Sequence, residues 1–208
     1  MAQNNLHPEG KVSTPVQKHG TTWDTSRANG HYSFATKTDG TLWMWGANDY
    51  GMLGQNQAPT SGLPRVSSPV QVPCTNWSTS VDQLMVGQYV TMAMKTDGTL
   101  WTWGQGSNGQ TGHNNLTNYS SPKQVGTDTT WKYLAKGQSN GGSCMAIKTN
   151  GTIWAWGWQY SSGQLGLNNG GTERLSSPTQ VGAETDWVRA VSYTHLRAHE
   201  TPEHRVWR

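Results

Sequence analysis

Lys37-Thr-Asp-Gly-Thr-Leu-Trp-Met-Trp-Gly46 returns as Lys95-Thr-Asp-Gly-Thr-Leu-Trp-Thr-Trp-Gly104 and again as Lys148-Thr-Asn-Gly-Thr-Ile-Trp-Ala-Trp-Gly157. A period of this length marks an array of supersecondary units, each too small to bury its apolar face alone. Two markers outside the motif keep the same beat. Pro15, Pro69, Pro122 and Pro178 are 54, 53 and 56 residues apart, and Trp23, Trp77, Trp131 and Trp187 are 54, 54 and 56 apart.

Each unit runs through a Pro-x-Gln stretch, a lone Trp, a Gly (Gly30, Gly87, Gly137), an apolar run, the quoted motif and a Gly-x-x-Gly loop (Gly51/Gly54, Gly109/Gly112, Gly163/Gly166). Asp39-Gly40, Asp97-Gly98 and Asn150-Gly151 each separate two short β-type runs. Asx-Gly in that setting predicts a two-residue type I′ hairpin turn, which needs positive φ at both central residues. On the incoming arm Phe34, Met92 and Met145 alternate with Ala35, Ala93 and Ala146, and the paired tryptophans of the outgoing arm share one face at period two. The Gln-Val and lone-Trp stretches supply two further strands. About four short antiparallel strands per unit, with no helical period, predict an all-β chain of propeller blades.

Only 33% of the 208 residues are apolar and 25 are glycine, so an aliphatic core is thin. Ten of the 12 tryptophans occupy repeat positions, and these rings are expected to be the core. A formal charge of +3 with scattered lysines excludes a nucleic-acid-binding stripe. No segment reaches the ~18 apolar residues of a membrane span and the N-terminus has no apolar h-region, so the expectation is a soluble chain, cytoplasmic by default. Cys74 and Cys144 fall at different points of the repeat and encode no disulfide framework; Cys144 reads as a small core residue. The sequons at Asn76, Asn115, Asn118 and Asn150 are what chance makes in a chain rich in Asn, Ser and Thr.

Asp-Gly-Thr-Leu-Trp-x-Trp-Gly followed by Tyr50-Gly-Met-Leu-Gly54 or Ser162-Gly-Gln-Leu-Gly166 resembles the repeat of the regulator of chromosome condensation, over about residues 13 to 191. The resemblance implies a β-propeller, in that family most often of seven blades. On this reading 1–12 are an N-terminal lead, 13–68, 69–121 and 122–177 are three RCC1-like repeats, and 178–191 start a fourth, giving about three and a half blades and an incomplete ring. The chain is then expected to be a piece of a longer product. Residues 192–208 share no position with any repeat and resemble translated sequencing-adaptor sequence. Their His195, His199 and His204 make a poor metal cluster, because Pro202 interrupts any helix that would gather them.

The repeats contain no Ser/His/Asp order, Cys/His pair or phosphate-binding loop followed by a helix, so no catalytic residue, cofactor or metal site is expected. Asp39 and Asp97 are matched by Asn150, which marks a turn residue and not a catalytic carboxylate. The repeated Lys37, Lys95 and Lys148 read as solvated or cross-strand partners of the hairpin. What varies is the loop after Trp-x-Trp-Gly, and loops on a rigid frame are where binding resides. Asn48, Asp49, Tyr50, Asn108, Trp158 and Tyr160 are therefore the candidate binding residues, with Trp158 and Tyr160 as aromatic anchors. The expected function is a non-enzymatic protein-interaction module with an unknown protein partner. The family resemblance adds nucleotide exchange on a small GTPase, with no exchange residue to transfer to this chain, and a surface or virion-associated recognition protein.

Overall fold

The computed structural model describes residues 20–29, 31–57, 65–135, 142–159, 163–168 and 172–188. Pro15, Gly30, Gly137, Tyr160 and the 192–208 tail lie outside the described residues, as do the 1–12 lead and the last three residues, 189–191, of the 178–191 segment.

Among the described residues, twelve strands form three four-stranded antiparallel sheets in simple chain order. The first holds β1 (Trp23–Ala28), β2 (Tyr32–Lys37), β3 (Leu42–Gly46) and β4 (Val66–Gln71). The second holds β5 (Leu84–Val86), β6 (Val90–Met94), β7 (Leu100–Gly104) and β8 (Tyr119–Gln124). The third holds β9 (Trp131–Leu134), β10 (Ser143–Lys148), β11 (Ile153–Gln159) and β12 (Glu173–Val181). This is the all-β blade architecture that the repeat implies. Each sheet closes on the Pro-x-Gln stretch that opens the following sequence unit, so Pro178-Thr-Gln-Val181 is the end of β12, paired with β11 through Ile153 and Val181.

The apolar core lies between blades, not within them. One buried cluster joins the first and second sheets through Phe34, Met44, Met52, Trp77 and Trp103; another joins the second and third through Met92, Met94, Trp131, Cys144 and Trp156. Sheets stacked face to face bury both faces of the middle one, and every residue of β6 is accordingly buried.

The hairpins differ from the expected turn. Gly40 has φ 75 while Asp39 keeps negative φ, Gly40 N–H donates to Lys37 O, and Lys37 N–H donates to Thr41 O. This is a three-residue loop, a type I turn closed by a left-handed glycine, and it recurs at Gly98 and Gly151. The cause is local: the Asp39 carboxylate accepts from both Thr41 N–H (2.9 Å) and Thr41 Oγ1 (2.7 Å), which holds Asp39 in its right-handed conformation. Thr41 Oγ1 in turn accepts from Trp43 Nε1 (2.9 Å). The same relay runs through Asp97, Thr99 and Trp101, and through Asn150, Thr152 and Trp154.

The tryptophans also divide. Trp77, Trp103, Trp131 and Trp156 are buried, whereas Trp23, Trp43, Trp45, Trp101 and Trp154 are half-buried and Trp187 is 41% exposed. The half-buried first ring of each Trp-x-Trp and the lone Trp enclose the repeated lysine. Lys95 Nζ lies 4.2 Å from the Trp101 ring centre and 5.2 Å from that of Trp77, and Lys37 and Lys148 are held in the same way. The lysines are thus cross-strand partners, with tryptophan as the partner.

The second unit departs from its neighbours between the lone Trp and the first strand. Ser78–Gln83 form an insertion with a single 3-10 turn at Val81–Gln83, which Ser80 caps. Thr25 Oγ1 donates to Thr79 O (2.6 Å) and Gln83 Nε2 donates to Lys132 O (3.0 Å), so this one segment is hydrogen-bonded to the first and third blades.

Candidate functional site

Antiparallel order sorts the connections to two ends. The Asx-Gly hairpins and the interblade crossings occupy one end; the β1–β2 and β5–β6 turns and the long β3–β4, β7–β8 and β11–β12 connections occupy the other. The varying loops therefore share an end of the molecule, and the described sequence candidates, Asn48, Asp49, Tyr50, Asn108 and Trp158, fall toward it.

They are not equivalent. Asn48 is buried and its Oδ1 accepts Leu53 N–H (3.0 Å), so it braces the loop from inside. Asp49 is exposed. Tyr50 is half-buried and meets Tyr89 edge to face, with ring centres 5.0 Å apart; Tyr89 continues to His31 at 6.2 Å. Asn108 is partly buried and its N–H donates to Gln110 Oε1 (2.8 Å), while Gln110 Nε2 donates to Gln105 Oε1 (3.1 Å). Trp158, expected in a loop, belongs to β11: the β11–β12 ladder continues past Gly157 and pairs Trp158 with Arg174, whose guanidinium lies 5.6 Å from the ring centre. Tyr160 is outside the described residues.

The tertiary fold brings Tyr50 of the first blade to Tyr89 of the second and leaves Trp158 with Arg174 on the third. His31, Tyr89 and Arg174 were not singled out from the sequence. His31, Tyr89 and Gly142 occupy the same register position, one residue before the partners of Gly46, Gly104 and Gly157, and that variation was a readable signal.

A groove of about 510 Å³ lies between the second and third blades, and its lining includes Val125, Asp128, Trp131, Lys148 and Trp154. Lys148 Nζ bonds Asp128 at 2.6 Å. Partial burial alone would raise the Asp128 carboxyl, but hydrogen bonds from Lys148 and Thr130 prevail and hold it at about 2. His113, beside the groove, is pushed down to about 4 by burial, with the Lys123 charge acting in the same direction. Its ring nitrogen Nε2 lies 2.9 Å from Thr102 Oγ1. Among the described residues no three His, Cys, Asp or Glu side chains gather as a metal would require, and no helix is long and apolar enough to cross a membrane.

A sequence model of the Regulator of chromosome condensation (RCC1) repeat matches residues 39–94 and 97–139. The chain is similar to the RCC1 domain-containing protein RUG3, mitochondrial, of Arabidopsis thaliana, 31% identical over 161 residues that cover 74% of this chain and 34% of that protein. It is also similar to human E3 ubiquitin-protein ligase HERC2, 26% identical over 158 residues that amount to 75% of this chain and 3% of the ligase. The chain thus spans about a third of the first relative's length and a small part of the second's. Among solved structures, human WBSCR16 superposes with a TM-score of 0.69 at 20% identity, covering 88% of this chain and 46% of that one. Prp20p of Saccharomyces cerevisiae, whose structure was described together with its binding to Gsp1p and histones, superposes with a TM-score of 0.64 at 18% identity, covering 78% and 39%. At these identities the two superpositions speak to the fold.

Proposed function

The chain belongs to the RCC1-like repeat family, and from that premise we propose that it is a non-enzymatic protein-interaction module whose partner contacts the variable-loop end. One contrast carries the reading. The residues shared by the units are consumed in turns, lysine enclosures and interblade bonds, whereas the differing loops after Trp-x-Trp-Gly gather at one end, where Tyr50 meets the contiguous Tyr89 and His31 rings. Aromatic groups on a rigid frame are the usual anchors of protein interfaces. Gsp1p, histones and Kap60 are named with the yeast relative, which supports a protein as the class of partner.

The test is quantitative affinity capture on immobilised full chain, comparing the unchanged protein with a Tyr50→Ala/Tyr89→Ala variant of unchanged thermal stability. Partners retained by the former and lost by the latter support the loop end. Identical profiles count against it. A nucleotide-release assay over a panel of small GTPases runs beside it, and accelerated release would replace the binding reading with exchange activity.

A further inference from the structure

The two interblade junctions use the same packing positions, and where they differ the second carries polar and charged groups. Gln55, Val66 and Val70 of the first blade correspond in register to His113, Tyr119 and Lys123 of the second. Packing that is satisfied by valine and glutamine at one junction does not demand tyrosine, lysine and histidine at the other.

These side chains form a connected group. The Tyr119 ring lies edge-on to His113, with centres 4.9 Å apart. The Tyr119 phenol oxygen accepts from Lys123 Nζ (2.8 Å) and Asn115 Nδ2 (2.9 Å), and the Lys123 ammonium also lies 4.2 Å from the ring centre. With two donors on its oxygen, the phenol keeps its own O–H for an acceptor supplied from outside. Lys123 is exposed, and beside it the groove offers Val125, Trp154 and Pro178 as apolar wall with Asn114 and Ser177 as polar edge. Its other lysine, Lys148, is already compensated by Asp128. Of the groove's two lysines, Lys123 has no carboxylate partner among the described residues, and a groove of about 510 Å³ is within the range of binding clefts.

We propose that this groove binds an acidic peptide segment of a partner protein, its carboxylate taken by the Lys123 ammonium and the Tyr119 hydroxyl, and an apolar side chain seated against Trp154 and Pro178. The proposal rests on the protein-binding reading but uses a different surface from the loop end. A charge-assisted carboxylate contact at the rim supplies orientation and selectivity, and the apolar trough supplies burial.

The full chain is panned against a random short-peptide display library, and enriched peptides are remeasured in solution by fluorescence anisotropy against Lys123→Glu, Tyr119→Phe and, on the exposed side of β1, Asp24→Ala. Lys123 and Asp24 are exposed and Tyr119 is half-buried, and thermal unfolding confirms that each variant folds. The expected result is enrichment of peptides with Asp or Glu next to an apolar residue, about tenfold or greater weakening by Lys123→Glu, a smaller loss with Tyr119→Phe and none with Asp24→Ala. Peptides indifferent to Lys123→Glu overturn the groove; if the same peptides are lost with Tyr50→Ala, the loop-end reading survives. No enrichment, or full displacement by inorganic polyphosphate, also overturns it.

Discussion

Trp103 donates its indole Nε1–H to the carbonyl of Met52, 2.7 Å away and 51 residues earlier in the chain, in the neighbouring blade. Trp156 repeats the contact one blade on, with Gln110 O at 2.9 Å. The second ring of each of these Trp-x-Trp pairs thereby ties a blade to the loop of the one before it, while the indole N–H of the first ring donates to the threonine of its own hairpin. Identical residues two positions apart hold different ranks in the structure.

Replacing either ring by phenylalanine keeps an aromatic side chain and removes the donor. Trp103→Phe removes one of the two donors to the Met52 carbonyl, leaving the Thr91 hydroxyl, and also removes volume from a fully buried site, so it is expected to cost about 1–3 kcal/mol. Trp101→Phe, in a half-buried setting, should cost less than about 1 kcal/mol. Urea denaturation of the two variants measures the difference; equal losses would remove the distinction between the rings.

The enclosed lysines should contribute through their neighbouring rings. Lys95→Gln removes the cation between Trp77 and Trp101 and is expected to destabilise by about 0.5–2 kcal/mol. Combining it with Trp101→Leu should give less than the sum of the two single losses, since both remove the same contact. Strict additivity in that double-mutant cycle would show that the enclosure carries no energy.

Two groups set separate acid windows. His113 titrates at about 4 in the fold against an ordinary 6.5, so the unfolded chain binds the extra proton between those values. Its contribution is complete above about 6.5 and fades as pH falls toward 4. Asp128 is held at about 2 against an ordinary 3.8, so its contribution is present above 3.8 and is lost only as pH falls toward 2. Stability against pH for His113→Gln should be flatter between 6.5 and 4, and for Asp128→Asn flatter below 4. A His113→Gln curve parallel to the unchanged protein from pH 6.5 to 4 would refute the burial account.

Glycines that look alike in the sequence should differ sharply under substitution. A Cβ on Gly104 (φ 106) would lie 2.3 Å from Tyr89 O, whereas one on Gly126 (φ 60) meets nothing within 4 Å. Gly126→Ala should cost about 1–2 kcal/mol, the strain of its left-handed backbone. Gly104→Ala adds a backbone collision and should fold poorly or lose several times that amount, judged by expression and thermal melting.

Much of the blade was legible in the residues. Period-two alternation identifies the hairpin arms because one-residue pleating is a purely local consequence of extended backbone. The turn differs from the type I′ expectation because Asx-Gly suits two loops. Whether Asp39 enters positive φ is decided by Thr41, whose two donors reward the right-handed state. Trp158 was placed in a loop because no local rule marks where β11 stops; pairing with Arg174 extends the strand. The Tyr50–Tyr89 contact was invisible for another reason: its members are far apart in the chain and meet only when one sheet stacks on the next.

Taken by itself, the order of residues determines the repeat, the four-stranded blade and the end at which variation collects, since these follow from local geometry copied at a fixed period. Which tryptophans are buried, that Tyr50 meets Tyr89, and that Trp103 and Trp156 each bond the loop of the preceding blade were decided only by stacking one blade on another. Burial and proximity are properties of the packed pair of sheets, and no window of sequence within a single unit contains both partners.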